Sequence, residues 1–278
     1  WRNIIGAAYE VSGKRRDRFG HPDRSRIFRT IFYENSKGEV TMRAFLYGVF
    51  LQWKLDIRSK TLLITCYIVP LLFFLIMGGI FTSIMPEARY TLIQSMTVFG
   101  VTMGALIGLP PSLVEIYSSN IKNVYKANGV PLSLGLIVTN ISAYIHLFLM
   151  SVILYFAAPL VFHAEAVDHP GRYFSCLAVF IAVSLGIASI IGLAVKDQAK
   201  TSMVSIIVFL PSIMLSGIMF PVELLPETFE TIGRLLPATW GYQLIVHPAF
   251  GYENSLALIL TFLLALGVCV LLLRKADQ

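Results

Sequence analysis

Residues 61–85 read TLLITCYIVPLLFFLIMGGIFTSIM, and no Asp, Glu, Lys, Arg or His interrupts them. An α-helix needs about 20 mostly apolar residues to cross the roughly 30 Å hydrocarbon core of a membrane. This stretch therefore predicts a membrane-spanning helix. Comparable apolar stretches elsewhere in the chain predict further spans, and the segments between them predict the connecting loops.

The composition of the whole chain agrees with a membrane protein. Hydrophobic residues make up 56% of the 278 positions and charged residues only 14%, against about 25% charged in an average soluble domain. A soluble fold with so few charges could not cover its surface. The cysteines (Cys66, Cys176 and Cys269) all lie within apolar runs without paired spacing. They predict buried apolar side chains rather than a disulfide or metal framework.

Five further apolar stretches predict spans. They cover residues 90–114, 132–159, 173–195, 201–220 and 255–273. The first of these is the most polar, because it holds Gln94 and the helix-disrupting pair Pro110-Pro111, but leaving it out would place basic loops on both sides of the membrane. Since the short alternating segments of a β-barrel are absent from the sequence, we predict an all-α, six-span membrane domain over residues 41–278.

The basic residues give this layout an orientation. With six spans, all of the 22 Lys and Arg residues except Arg89, Arg172 and Arg234 fall on one side of the membrane. Lys and Arg in short loops concentrate on the cytoplasmic side. We therefore expect a multi-pass protein of the cell membrane with both termini in the cytoplasm.

The first 40 residues form a separate polar segment. Residues 14–18 read KRRDR and no apolar core stretch accompanies them, so the segment is not expected to be a signal peptide. Positive charge of this kind is attracted to the anionic inner surface of a membrane. We interpret residues 1–40 as a basic cytoplasmic tail. Since the membrane already explains the charge, we expect no nucleic-acid partner.

Residues 42–57 show a different pattern. Phe45, Phe50 and Trp53 belong to a set of apolar residues at helical spacing, whereas Lys54 and Asp56 fall mainly elsewhere on the helix. Such a helix lies along a membrane surface with its apolar face among the lipids. We predict an interfacial helix with membrane lipid as its partner. The alternative is a simple extension of the first span.

Two connections between spans carry structure of their own. The inner segment 115–131 predicts a short helix over Ser118–Lys126, followed by a turn at Asn128-Gly129. Prolines break the outer segment 221–254 into two short helices that cannot span the membrane. Such re-entrant backbone is tolerated at membrane depth only against protein or a water-filled cavity. We interpret it as a lid or gate, with a static structural cap as the alternative.

The residues around the outer segment carry a family resemblance. LSGIMFP at 215–221, Leu225-Pro226 and LLPAT at 235–239 resemble the pattern that links the fifth and sixth spans of ABC-2 type transporter permeases. The likeness extends over residues 41–275 and implies a type V-like exporter architecture. In that architecture a half-transporter pairs with a second copy of itself or a related permease. It further implies a translocation path at the dimer interface and a separate ABC ATPase subunit bound under the inner loop.

The resemblance implies roles for two sets of residues. The inner loop is expected to dock the ATPase through Glu115, Ser118, Asn123, Tyr125, Lys126 and Gly129. The outer helices are expected to form the exit gate with Phe220, Pro221, Leu224, Phe229, Leu236, Pro237 and Trp240. Members with a short connection between the first two spans export drugs, antibiotics, peptides or lipid-linked glycans, and here that connection is only residues 86–89.

The sequence lacks a motif for ATP chemistry. A phosphate-binding loop reads GxxxxGK[ST], whereas the only Gly-Lys pair here, Gly13-Lys14, is followed by Arg15. We therefore expect no catalytic, cofactor or metal site in this chain, with ATP and magnesium bound to the partner subunit. The loop that holds His163 and Asp168 is interpreted as a solvated connection rather than a set of metal ligands.

A secondary transporter or channel subunit is the alternative function. Such a protein is expected to hold ionisable residues within its spans or an internal repeat, and neither is clear here. The third predicted span does hold His146. We interpret it as a neutral side chain that is hydrogen-bonded to Ser or Tyr within the bundle; a proton relay or a substrate contact is the alternative.

Overall fold

A computed structural model describes residues 38–118, 120–127, 131–219, 225–246 and 252–277. Within these ranges every regular element is a helix and none is a strand, in agreement with the predicted all-α class. Of the predicted tail 1–40, residues 1–37 lie outside the described part of the chain.

The described residues fold into helices that are joined by short connections. In chain order these are α1 (Gly38–Arg58), α2 (Lys60–Ile84), α3 (Leu92–Ser118), α4 (Asn120–Ala127), α5 (Leu132–Phe162), α6 (Pro170–Ala194), α7 (Gln198–Met214), α8 (Glu227–Gly233), α9 (Pro237–Val246) and α10 (Tyr252–Asp277). A 3₁₀ turn, Pro86–Tyr90, joins α2 to α3. The long helices therefore run alternately in opposite directions through one bundle.

Five of these helices are long and apolar enough to cross a membrane: α2, α3, α5, α6 and, from Ser255 to Lys275, α10. The sixth predicted span, residues 201–220, is shorter in the structure. Helix α7 has 17 residues, which gives about 26 Å at 1.5 Å per residue, below the roughly 30 Å of a hydrocarbon core. Beyond Met214 the chain turns through Gly217, whose positive φ of 84° suits glycine. The structure thus supplies five full-length candidates and one shorter apolar helix.

Two wide π-helical turns interrupt α2 and α3. Ile64–Ile68 precedes Pro70, and Gly104–Gly108 precedes Pro110-Pro111. A proline clashes with the carbonyl four residues earlier, and a π turn is one way in which a helix absorbs such a disturbance. Helix α3 therefore continues through the proline pair to Ser118, so the pair distorts the helix without ending it.

The core of the bundle lies around α3 and α6. The first eleven residues of α3, Leu92–Thr102, are all buried. Phe99 stacks on Phe73 with ring centroids 3.6 Å apart, and the hydroxyl of Tyr173 is hydrogen-bonded to Thr97 at 2.7 Å. By contrast, α2, α7 and α10 leave large apolar side chains exposed along their outer faces. Such continuous apolar surface is typical of contact with lipid or another protein.

The two ends of the bundle differ in charge. Lys60 and Arg274 lie at one end, together with α1 and α4, and we call this the basic end. Glu87 and Asp168 lie at the opposite end, together with α8 and α9, and we call this the far end. The two predicted functional segments therefore lie at opposite ends of one bundle.

Candidate functional site

At the far end, α8 and α9 are joined by a compact link. The indole Nε1 of Trp240 donates a hydrogen bond to the carbonyl of Arg234 at 2.6 Å, and Thr239 Oγ1 donates to the carbonyl of Gly233, also at 2.6 Å. Both bonds satisfy carbonyls that the end of α8 leaves without a helical partner. Pro237 begins α9, where a missing N–H costs little. The structure thus has the two short helices that the sequence predicted, and α8 begins at Glu227.

Helix α9 is fixed firmly to the bundle. Ser95 Oγ donates a hydrogen bond to the hydroxyl of Tyr242 at 3.2 Å, and the Arg172 guanidinium donates to the carbonyl of Leu244 at 3.3 Å. Gly241 lies so close to Phe180 that a Cβ added to it would overlap the ring. Helix α9 therefore forms part of the folded core, bonded to both α3 and α6.

Helix α8, by contrast, is largely open on the outside. Phe229 is 49% exposed and Leu235, just after the helix, is 81% exposed. Gly233 alone is buried, against the backbone carbonyl of Leu215. The outer face of α8 is thus uncovered by the described residues and mixes apolar Phe229 and Ile232 with polar Glu227, Thr228 and Thr231. The close approach to Leu215 is made by Gly233, a residue without a side chain.

The predicted gate residues divide accordingly. Phe229 is exposed, while Leu236, Pro237 and Trp240 are half-buried at the link between the helices. The remaining predicted members, Phe220, Pro221 and Leu224, lie outside the described residues. Closure of an exit path by these residues stays a prediction.

At the basic end, α4 is the segment that was predicted to dock an ATPase. Ser118 closes α3, so the short helix begins at Asn120 and not at Ser118. Tyr117 anchors the segment, because its hydroxyl donates a 2.6 Å hydrogen bond to the carbonyl of Leu132 at the start of α5. Tyr125 of α4 lies against Gly135 of α5, and burial raises the pKa of its phenol.

The predicted docking residues face different ways. Glu115, Ser118 and Asn123 are exposed, whereas Tyr125 is turned partly inward. Lys126 belongs to α4 without a described side chain, and Gly129 lies outside the described residues. Asn123 is therefore the member best placed to touch a partner, and Tyr125 is placed to hold α4 against the bundle.

The orientation of α1 corrects the predicted division of its faces. Five described side chains of α1 turn toward the bundle: Phe45, Val49, Gln52, Trp53 and Asp56. Asp56 is the most buried of them, at 6% exposed. The outward side carries apolar residues together with basic ones: Leu46, Phe50, Leu51, Lys54, Leu55, Ile57 and Arg58. Asp56, which was predicted to lie away from the apolar face, thus faces protein, whereas Lys54 is outward. Of the predicted lipid-facing residues, Phe50 remains outward.

Asp56 lies in a polar junction between α1, α2 and α5. Ser142 Oγ donates a hydrogen bond to Asp56 Oδ2 at 2.5 Å, and Gln52 Nε2 donates to Oδ1 at 2.9 Å. One turn beyond Ser142, His146 Nδ1 shares a 2.8 Å hydrogen bond with the hydroxyl of Tyr67, which confirms the predicted bond of His146 to a Tyr or Ser. Burial raises the pKa of Asp56, while its hydrogen bonds and the nearby His146 oppose that rise.

Sequence reasoning missed this junction for a physical reason. Asp56 stands among Lys54, Arg58 and Lys60, a run that is typical of a solvated surface. Its partner Ser142 is 86 positions away along the chain. The one signal within the sequence was the spacing of Gln52 and Asp56, which places both on one helical face.

No metal site is present among the described residues. His163, Glu165, Asp168 and His169 are all exposed. The structure brings no three His, Cys, Asp or Glu side chains of the described ranges together in a way that could hold an ion.

This chain is a multi-pass membrane protein. Five of its described helices are long and apolar enough to cross a membrane, and large apolar side chains cover the outer surface of the bundle. The family model for ABC-2 type transporters matches residues 43–250, from α1 to just beyond α9. The chain therefore belongs to the ABC-2 type transporter family, as the motifs at residues 215–239 predicted, and is a membrane transport component rather than a catalytic domain. A comparison with curated proteins found no match.

Proposed function

We propose that this chain is the permease subunit of an ATP-driven exporter. It pairs with a second copy of itself or a related permease and forms the translocation path at that interface. A separate ABC ATPase, with its own bound ATP and magnesium, supplies the energy. Membership of the ABC-2 type transporter family carries this proposal, and the absence of a GxxxxGK[ST] loop from the sequence supports ATP hydrolysis on a partner.

The ATPase docks at the basic end, against α4. The concentration of Lys and Arg at the basic end supports a cytoplasmic location for that end. Cytoplasmic ATP is then available to an ATPase bound there. Asn123 is exposed on α4, and Tyr117 and Tyr125 tie this segment to the start of α5. A push on α4 would therefore pass directly into a spanning helix.

Export proceeds toward the far end, where α8 lies over the bundle as an outer lid and α9 is its fixed base. The cargo is a drug, antibiotic, peptide or lipid-linked glycan. The exposed Phe229 and Leu235 give this lid apolar side chains on its outer face, which suit cargo with apolar parts.

Co-purification from native membranes tests the proposed coupling. The tagged full chain is expected to bring down an ATP-hydrolysing subunit in equal amount. Asn123→Arg places a large charge on the outward face of α4, and we expect it to lower the recovered ATPase about tenfold, the effect of losing about 1.4 kcal/mol of binding.

The control for this experiment lies at the other end of the bundle. Thr228→Arg changes an exposed residue of α8 and is expected to leave ATPase recovery unchanged. Equal recovery with Asn123→Arg and the unmodified chain would contradict docking at α4. Recovery of no ATPase with any form would contradict the exporter itself.

A further inference from the structure

The junction beneath α1 holds a buried acid, Asp56, that has no Lys or Arg partner in the part of the chain that the structure describes. Within the described residues, Asp56 forms no ion pair with Lys or Arg, and its carboxyl oxygens receive hydrogen bonds only from Ser142 and Gln52. A buried carboxylate without a countercharge is strongly disfavoured and tends to take up a proton.

Two further polar atoms of this junction have no hydrogen-bond partner among the described residues. They are His146 Nε2 and Trp53 Nε1, and both are buried. The two rings lie 6.2 Å apart between centroids, and His146 is only 1% exposed. An orphaned imidazole nitrogen can take up or hold a proton, so the junction contains two proton acceptors, Asp56 and His146, in a largely enclosed space.

We propose that Asp56 and His146 form a buried proton-binding site that holds α1 against α5. The site binds one proton from water: a carboxyl oxygen of Asp56 forms the new O–H bond, and the proton returns to water when that bond breaks. Ser142 can keep its hydrogen bond in either state, because a hydroxyl both donates and accepts. Tyr67 holds the His146 ring through Nδ1, which leaves the buried Nε2 without a hydrogen-bond partner among the described residues.

The other ionisable groups around Asp56 have separate places. From α5 the group that faces it is His146, and from α2 it is Cys66, with Tyr67 behind His146. On α1 itself, Lys54 and Arg58 are exposed on the opposite side. Burial therefore favours the proton on Asp56, and it is opposed first by the hydrogen bonds from Ser142 and Gln52 and then by His146.

Docking of α1 is then stronger at low pH. Burial places the docked pKa of Asp56 above its ordinary value of 3.8, so the docked state is fully stabilised below that ordinary value. As the pH rises from there through the docked pKa, the ratio of docked to undocked α1 falls by up to about tenfold per pH unit, as one-proton linkage requires.

A cysteine pair can report docking directly. A Cβ on Gly48 of α1 would lie 3.9 Å from a side-chain methyl of Val138 on α5. Gly48→Cys and Val138→Cys are combined in the full chain, with the three native cysteines replaced by alanine. Cross-linking is then measured in membranes from about pH 4 to about pH 8.

The comparison is made with Asp56→Asn in the same background. Asn imitates the protonated carboxyl, so α1 of this variant should stay docked at every pH. At each pH, the cross-linking yield of the chain with Asp56 is divided by the yield of Asp56→Asn. This ratio cancels the effect of pH on the cysteines themselves, and it should fall as the pH rises. His146→Gln should move the midpoint of the fall to higher pH, because it removes a group that stabilises the carboxylate.

Infrared spectroscopy supplies a second readout. Exposed acids are also protonated at low pH, so the readout is the separate carboxyl band of a buried acid. This band is expected with the unmodified chain and should be lost with Asp56→Asn. It should remain with Asp168→Asn, which changes an exposed acid at the far end. A yield ratio that does not change with pH, or a carboxyl band that Asp56→Asn leaves intact, would overturn the proposal. So would failure of Asp56→Asn to insert and fold, because the site would then require an ionised carboxylate.

Discussion

Gly241 lies where α9 crosses α6, and it allows the two helices to touch. The ring of Phe180 occupies the space that a side chain would need. The same principle applies at Gly233, where the backbone of Leu215 comes close, and at Gly104, where Leu147 does. In membrane bundles, small residues permit close helix packing where the hydrophobic effect offers no driving force between helices.

Gly241→Ala is expected to destabilise the protein. The added methyl must displace the ring of fully buried Phe180. Overpacking costs about 1–3 kcal/mol, and so severe an overlap belongs in the upper part of that range, above the roughly 1 kcal/mol that alanine gains within a helix. The measurement is thermal unfolding of the detergent-purified chain, in which the midpoint should fall.

Gly267→Ala is the matched control for this prediction. Gly267 is also helical, in α10, but a Cβ there would meet nothing within 4 Å. Its unfolding midpoint should stay the same or rise, because only the helix propensity changes. Equal midpoints for the two variants would show that the contact between Gly241 and Phe180 carries no cost.

The far-end helices illustrate how two adjacent elements acquire different roles. Helix α9 is bonded to α3 through Tyr242 and to α6 through Arg172. Helix α8 exposes most of its residues and carries a surface ion pair between Arg234 and Glu230, which contributes only a few tenths of a kcal/mol. Motion at this end therefore requires less free energy in α8 than in α9.

Cysteine labelling can separate a moving lid from a fixed cap. With native cysteines replaced, Phe229→Cys should change its labelling by an impermeant thiol reagent when ATP is added to the assembled transporter. Glu165→Cys, in the exposed loop after α5, should label at a constant rate and serves as the control. Constant labelling of Phe229→Cys while export continues would identify α8 as a static cap.

Over the whole molecule, charge and apolar surface are arranged in layers. The apolar outer faces of α2, α7 and α10 lie between a basic end and an end that carries acidic residues. Charged groups resist entry into hydrocarbon, so this layering determines which part of the bundle lies within a membrane. The excess of Lys and Arg at one end favours the cytoplasm for that end.

Reporter fusions test this orientation. A reporter after Gln278 should be active in the cytoplasm, and one inserted at Asp168 should be active outside, because the basic end is retained within the cell. A reporter inserted at Asp197, in the short connection before α7, should also report cytoplasm, and one inserted at Glu227, after α7, should report outside if α7 crosses the membrane despite its 17 residues. An outside signal at Asp197 would contradict the alternating layout.

Sequence alone was sufficient for the helical class, the long spans and the family. Each depends on a local property: the length of an apolar run is measured against a membrane of nearly constant thickness, and the motifs at 215–239 are continuous along the chain. Tertiary structure decided which face of α1 is buried, that Asp56 meets Ser142, and that α9 is fixed while α8 is exposed. These outcomes depend on contacts between residues far apart in sequence, because the burial of a polar side chain is determined by the helices that pack around it and not by its neighbours in the chain.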